Sequence, residues 1–420
     1  MAYLLKLFAI VVLYLLLFRP ELIALPFSIN MMLGVLGVVL YSFFGKKKRQ
    51  VVNNVSPYLS VKSIILLLSP VLLVALITGI HNPDTDWYFV HYCASITLTF
   101  FATYIFALLL YRIYGNVTVD DVVKYIIIAN YIYLMIAVLM FLNYDFFSFM
   151  SSLQKIDEAL VDRQDEIIAK RLIAFGVSYS NAGVLQGCLA IIVSLYITFY
   201  NTQGKKQLFY LFSIFFFVIV GMMLSRTTIF GAFFAFLILI IHYGKRHRGK
   251  VLMYLGALLL LFYLSTLVFS SELKEHEDMI KWAFEMFYTY KDSGHFETTS
   301  SNSTLSMLNT FPDNLGTWII GDGKWHDKTG MFYYMDTDVG IARIIWYFGI
   351  IGLIAMLYYY YKTIKMSFNK RVFGNSAKYF LYYLFAFVIS ASIKGFTDIF
   401  YVCILFYFCQ NRLIISKKSI

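Results

Sequence analysis

Apolar runs of membrane-spanning length recur along this chain about twelve times, at roughly 3–18, 25–44, 62–80, 89–111, 123–142, 181–200, 208–224, 228–243, 251–269, 339–361, 379–397 and 399–413. In lipid each backbone polar group must be satisfied within its own segment, so the runs predict helices rather than isolated strands. The pattern describes one all-α integral membrane domain over 1–420. From Leu208 to Tyr243 the only charge is Arg226. That stretch is nearly twice the roughly 20 residues one span needs. It predicts two helices meeting at a tight turn, with Arg226 at a membrane surface.

The polar connectors set an expected orientation. "GKKKRQ" (45–50), "GKK" (204–206), "GKRHRGK" (244–250), "KTIKMSFNKR" (362–371) and "NRLIISKK" (411–418) are basic. With both termini inside, all five fall on the cytoplasmic side, as the positive-inside rule asks. The first run resembles a signal peptide, but "RPELIAL" follows it instead of a small-residue cleavage site, which predicts a retained helix. Two connectors on the opposite side are long, 143–180 and 270–338. Each contains a charged amphipathic pattern, "LQKIDEALVDRQDEIIAKRLIAFG" and "ELKEHEDMIKWAFEMFYTYK", that predicts a surface helix. Loops of this length are usually functional.

Composition narrows the class. The chain is 60% hydrophobic and 14% charged, more apolar than a soluble core requires. The net charge of +11 is accounted for by cytoplasmic loops and needs no nucleic-acid partner. Cys93, Cys188, Cys403 and Cys409 all fall in apolar runs with neither zinc spacing nor a disulfide framework. His81, His91, His276, His295 and His326 are dispersed. There is no Walker A sequence, GxGxxG or nucleophile elbow, so the substrate is expected to arrive already activated, without a cofactor.

A few charged residues remain for chemistry. Arg226 either snorkels to headgroups or grips a phosphate through its planar fork. Arg171, just before a span, is either a headgroup anchor or a second phosphate clamp. Asp336 and Asp338 stand at the mouth of a helix, where carboxylates often only cap. Arg343 follows one turn later, and a partly buried Asp338 would suit proton abstraction from a hydroxyl. Lys394 lies near the end of a span, with Asp398 one turn on. That is either a functional cation or a self-neutralising pair. Asp84-Thr85-Asp86 and Asp336-Thr337-Asp338 have the carboxylate spacing of a divalent-metal site. The pattern is short, and "HNPDTDW" also has the chemistry of an ordinary turn. No metal is assigned.

Four stretches together resemble the bacterial O-antigen polymerase (Wzy-type) family of oligosaccharide repeat-unit polymerases, and more distantly the O-antigen ligases. They are "RLIAFGVSYSNAG", "MMLSRTTIFGAF", "NTFPDNLGTWIIGDG" and "DTDVGIARIIWYFGIIGLI". In the first, Arg171 precedes a Gly and Asn181, and Ser180 stands where the family has Pro. In ligases a His falls where Asp338 stands. The resemblance implies about twelve helices, cytoplasmic termini and two large periplasmic loops, as in a C-type membrane glycosyltransferase needing no metal. It implies transfer of a growing glycan from undecaprenyl diphosphate to a lipid-linked repeat unit, at the periplasmic face of the inner membrane. A chain-length regulator is an expected partner. Arg226 would stabilise the leaving diphosphate, Asp338 would act as base, and Arg171, Arg343, Lys394 and Asn181 would bind substrate. The alternatives are a ligase using a different acceptor hydroxyl and a lipid-linked oligosaccharide flippase.

Overall fold

A computed structural model describes residues 2–45, 60–155, 171–177, 179–200, 205–244, 249, 281–282, 285–295, 298–307, 310–330 and 332–409. The first six helices are α1 (Ala2–Phe18), α2 (Ile29–Leu40), α3 (Val61–His81), α4 (Tyr88–Tyr114), α5 (Val119–Leu142) and α6 (Tyr144–Leu153). Next come α7 (Tyr179–Phe199), α8 (Lys205–Leu224), α9 (Thr228–Ile238), α10 (Glu285–Ser293), α11 (Thr299–Met307) and α12 (Leu315–Ile320). The chain continues with α13 (Gly340–Ser367), α14 (Lys370–Phe373), α15 (Ala377–Ser392) and α16 (Phe400–Cys403). The described residues hold no β-strand, only two isolated β-bridges.

Seven helices among the described residues are long and apolar enough to cross a membrane, and three more apolar helices are shorter. This is an all-α, multi-pass membrane protein. The predicted run 251–269 lies outside the described residues, as does 156–170 of the first amphipathic pattern. The run at 399–413 is helical only from Phe400 to Phe408 within its described part.

Local chemistry sets the helix ends. Thr118, Asn143 and Asn314 each accept a backbone N–H from the residue three positions on, which satisfies an otherwise orphaned donor. Tight helix crossings use small residues. Gly187 of α7 and Gly231 of α9 meet so closely that a Cβ on Gly231 would lie 2.0 Å from the Gly187 Cα. Asn130 of α5 and Gln186 of α7 exchange two amide hydrogen bonds of 2.8 Å in the buried interior, tying these helices face to face.

One long helix is broken. Within α13, Gly349 has φ +69°, and the break faces α12. The loop after α12 fills the gap, with Asp322 and Gly323 donating their N–H groups to the Trp346 and Tyr347 carbonyls at 2.7 and 3.1 Å. Gly321 and Gly323 both adopt positive φ, and a Cβ on Gly321 would lie 2.2 Å from the Tyr347 oxygen. "IIGDG" and "YFGIIG" are therefore two halves of one contact. It seats the loop carrying Trp325 and His326 over the start of α13.

Candidate functional site

Connectors at one end of the bundle enclose a cavity of about 860 Å³. Its floor is the second turn of α4, around His91 and Tyr92. One wall begins where α1 ends. Arg19 has φ +46°, and the chain beyond it pairs with the end of α6 through Ile23 N–H to the Leu153 carbonyl (3.0 Å) and Lys155 N–H to the Glu21 carbonyl (2.7 Å). Gln154 then accepts the Gly176 N–H at 2.9 Å, holding the 171–177 segment against Phe18. The opposite wall carries Tyr88, His326 and Tyr333, and Phe396, Asp398 and Tyr401 close the cavity.

A cation cluster adjoins this cavity. The predicted tight turn exists: α8 ends at Leu224, α9 begins at Thr228, and Arg226 projects from between them. The segment bearing Arg171 runs past the same turn, its Leu172 N–H donating to the Met223 carbonyl at 3.0 Å. Both guanidinium groups face the indole of Trp282, Arg226 at 4.4 Å and Arg171 at 4.8 Å from the ring centroid. The ring thus lets two like charges approach each other. Arg226 also donates from Nε to the Trp282 carbonyl at 2.8 Å and pairs with the Glu285 carboxylate. Arg171 Nε is buried with no hydrogen-bond partner.

Electrostatic coupling extends the cluster to Lys394 and Asp338. Burial lowers the Lys394 pKa, the Arg226 charge lowers it further, and Glu285 and Asp338 oppose both. For Glu285, burial alone would raise the pKa, but hydrogen bonds from Thr299 and the charge of Arg226 outweigh it and lower it. Asp338 reaches solvent, yet loss of water raises its carboxyl pKa; Arg343 opposes the rise, Asp336 adds to it and Lys394 opposes it. Met335 and Asp336, just before it, both have positive φ, a strained turn that points this short segment at the helix mouth. Arg343 is only 5% exposed, and its guanidinium packs over Trp325 (3.8 Å) and Tyr333 (3.3 Å). Its Nε and Nη2 have no hydrogen-bond partner.

The structure therefore brings Arg171, Arg226, Lys394 and Asp338 into one electrostatic neighbourhood, with Arg343 beside Asp338. Asn181 is placed apart from them, on the wall of the large cavity. Tyr179 joins the two regions. It lines the cavity, and its ring lies 5.3 Å from the Arg171 guanidinium. The Lys394–Asp398 pairing does not form. Lys394 interacts with Arg226, Glu285 and Asp338, whereas Asp398 is half-buried at the cavity wall in the field of Arg19. Asp86 is occupied structurally, accepting N–H groups from Tyr88 (3.0 Å) and Trp325 (2.6 Å). The described residues contain no group of three or more metal-ligating side chains.

Arg19, Asp398 and Tyr401 at the cavity, and Trp282 and Glu285 at the cluster, were not singled out from sequence for a site. A signal existed for two of them, because Arg19 and Asp398 are charges at the very ends of apolar runs. Comparisons with protein-family models, with curated proteins and with solved structures gave no match.

Proposed function

We propose that this protein is a membrane glycosyltransferase that joins lipid-diphosphate-linked oligosaccharide repeat units into a polysaccharide, as the resemblance to O-antigen polymerases implies. The observation that carries the reading is the grouping of Arg171 and Arg226 around Trp282, with Lys394 within electrostatic reach of both Arg226 and Asp338. Glycosyl transfer from a lipid diphosphate needs that combination. Charge develops on the departing diphosphate, and fixed cations stabilise it more in the transition state than in the ground state. The acceptor hydroxyl loses a proton as it attacks the anomeric carbon, and a carboxylate of raised pKa is matched to take it. Arg226 and Arg171 hold the diphosphate, Lys394 assists, Arg343 orients Asp338, and Asp338 is the base. In the structure the Glu285 carboxylate sits on Arg226 where a phosphate oxygen would bind.

On this reading the shorter apolar helices and the runs at 251–269 and 399–413 also cross the membrane, which makes twelve crossings with the seven long helices. The termini are then cytoplasmic and the site faces the periplasm. A ligase would use the same groups with another acceptor, and a flippase would move the lipid without making a bond.

The test is elongation by purified protein in liposomes, supplied with native lipid-diphosphate repeat units. The expected result is a ladder of products that is lost with Arg226→Ala and with Asp338→Asn. A folded Arg226→Ala protein with full elongation would sink the assignment, and lipid movement without elongation would favour the flippase.

A further inference from the structure

The 860 Å³ cavity is chemically distinct from the cation cluster beside it, and its volume lies within the roughly 300–1,000 Å³ typical of small-molecule clefts. Arg19 lines it in an unusual state. Its backbone is left-handed, a strained conformation for a non-glycine residue. Its guanidinium lies over the Tyr401 ring, 4.0 Å from the centroid. Its Nε and Nη2 are buried without a hydrogen-bond partner, a costly arrangement unless a ligand supplies acceptors. Asp398, half-buried at the cavity wall, stands in the field of this guanidinium. It accepts the Phe400 N–H at 2.8 Å, with the Tyr92 and Tyr359 hydroxyls close by.

The lining selects against a simple ion. An anion would meet Glu21, Asp86 and Asp398, and a cation would meet Arg19 and Lys155. A polyhydroxylated molecule satisfies both kinds of group, because each hydroxyl donates to a carboxylate and accepts from a guanidinium. The cavity lining also includes the aromatic rings of Tyr88 and Phe396, apolar surface against which the C–H face of a pyranose can pack.

We infer that this cavity is a saccharide-binding site, separate from the diphosphate cluster, in which Arg19 and Asp398 hold neighbouring hydroxyls of an uncharged sugar. The inference deepens the proposed function and rests on it. The sugar portion of a lipid-linked substrate occupies the cavity, and its diphosphate lies across the shared Tyr179 wall.

The test uses full-length protein in nanodiscs and two probes. One is the oligosaccharide released by mild acid from the host's own lipid-linked repeat units, and the other is farnesyl diphosphate. Arg19→Gln and Asp398→Asn are expected to weaken oligosaccharide binding about tenfold or more, as loss of a charged hydrogen bond predicts. Farnesyl diphosphate binding should stay unchanged in both. Arg226→Ala should show the reverse pattern.

Ser180→Cys gives a second measurement that needs neither of the two cavity variants to fold. The native cysteines among the described residues are all buried, so a thiol at this cavity-lining position is the reactive one. Its alkylation by N-ethylmaleimide should slow with the oligosaccharide and not with farnesyl diphosphate. Unaltered oligosaccharide binding in folded Arg19→Gln protein, or no protection of Ser180→Cys, overturns the inference. Loss of farnesyl diphosphate binding in Arg19→Gln also overturns it, by making the cavity the diphosphate site. Elongation without oligosaccharide binding rejects the cavity assignment alone. Oligosaccharide binding without elongation rejects the polymerase and leaves the sugar site.

Discussion

Single side chains at this site work through their neighbours. Loss of water and the charge of Asp336 raise the Asp338 carboxyl pKa from its ordinary value, while Arg343 and Lys394 oppose the rise. A base must be ionised to act, so the acid limb of elongation should lie above the pH at which an exposed aspartate titrates. Lys394→Met removes one of the restraining charges. The limb should then move to higher pH, with the activity at its plateau reduced by the lost diphosphate contact. A pH–rate profile of the two proteins checks this, and an unmoved limb would mean that Asp338 is not the titrating base. Stability changes in the opposite direction with pH. A carboxyl whose pKa is raised by folding contributes stability at low pH and loses it as pH rises through the folded value.

Helices and loops place these side chains, and here glycine decides more than charge. The positive φ of Gly349 lets α13 break, and the break accepts the Gly321–Gly323 loop. Gly349→Ala would put a Cβ 2.2 Å from the Ile319 carbonyl carbon, in a conformation that itself costs about 1–3 kcal/mol. A lower melting temperature in detergent is expected, together with lost elongation, because Trp325 and Tyr333 would no longer pack on Arg343. A melting curve equal to wild type would show that the break carries no strain. The pattern "GDG" and the interrupted "YFGIIG" were visible along the chain. Their mutual contact was not, because each satisfies backbone groups freed by the other only once α12 lies across α13.

Across the whole chain, burial and charge asymmetry give a testable topology. On the proposed topology Lys370 is cytoplasmic, whereas Ser293 of α10 belongs to the second long loop on the opposite side. With every native cysteine among the described residues buried, single cysteines report cleanly. Ser293→Cys should react with a membrane-impermeant maleimide in intact spheroplasts, and Lys370→Cys only after permeabilisation. The opposite pattern would invert the site relative to the membrane.

Much of this architecture follows from the chain's own pattern. Apolar runs become helices because lipid leaves backbone groups no other partner. The lone Arg226 marks a turn because a charge is expelled from the middle of a span. Those arguments are local and need no knowledge of neighbours. The pairing of charges is not local. Asp398 lies one turn from Lys394 in sequence, yet the turn after α15 directs the two to different surroundings, Arg19 for one and Arg226 with Asp338 for the other. Trp282 meets Arg171 and Arg226 although it lies 56 residues along the chain from the nearer of them. Hydrophobic periodicity encodes which residues enter the membrane, whereas the partners of each buried charge are set by how the connectors pack at the bundle's end.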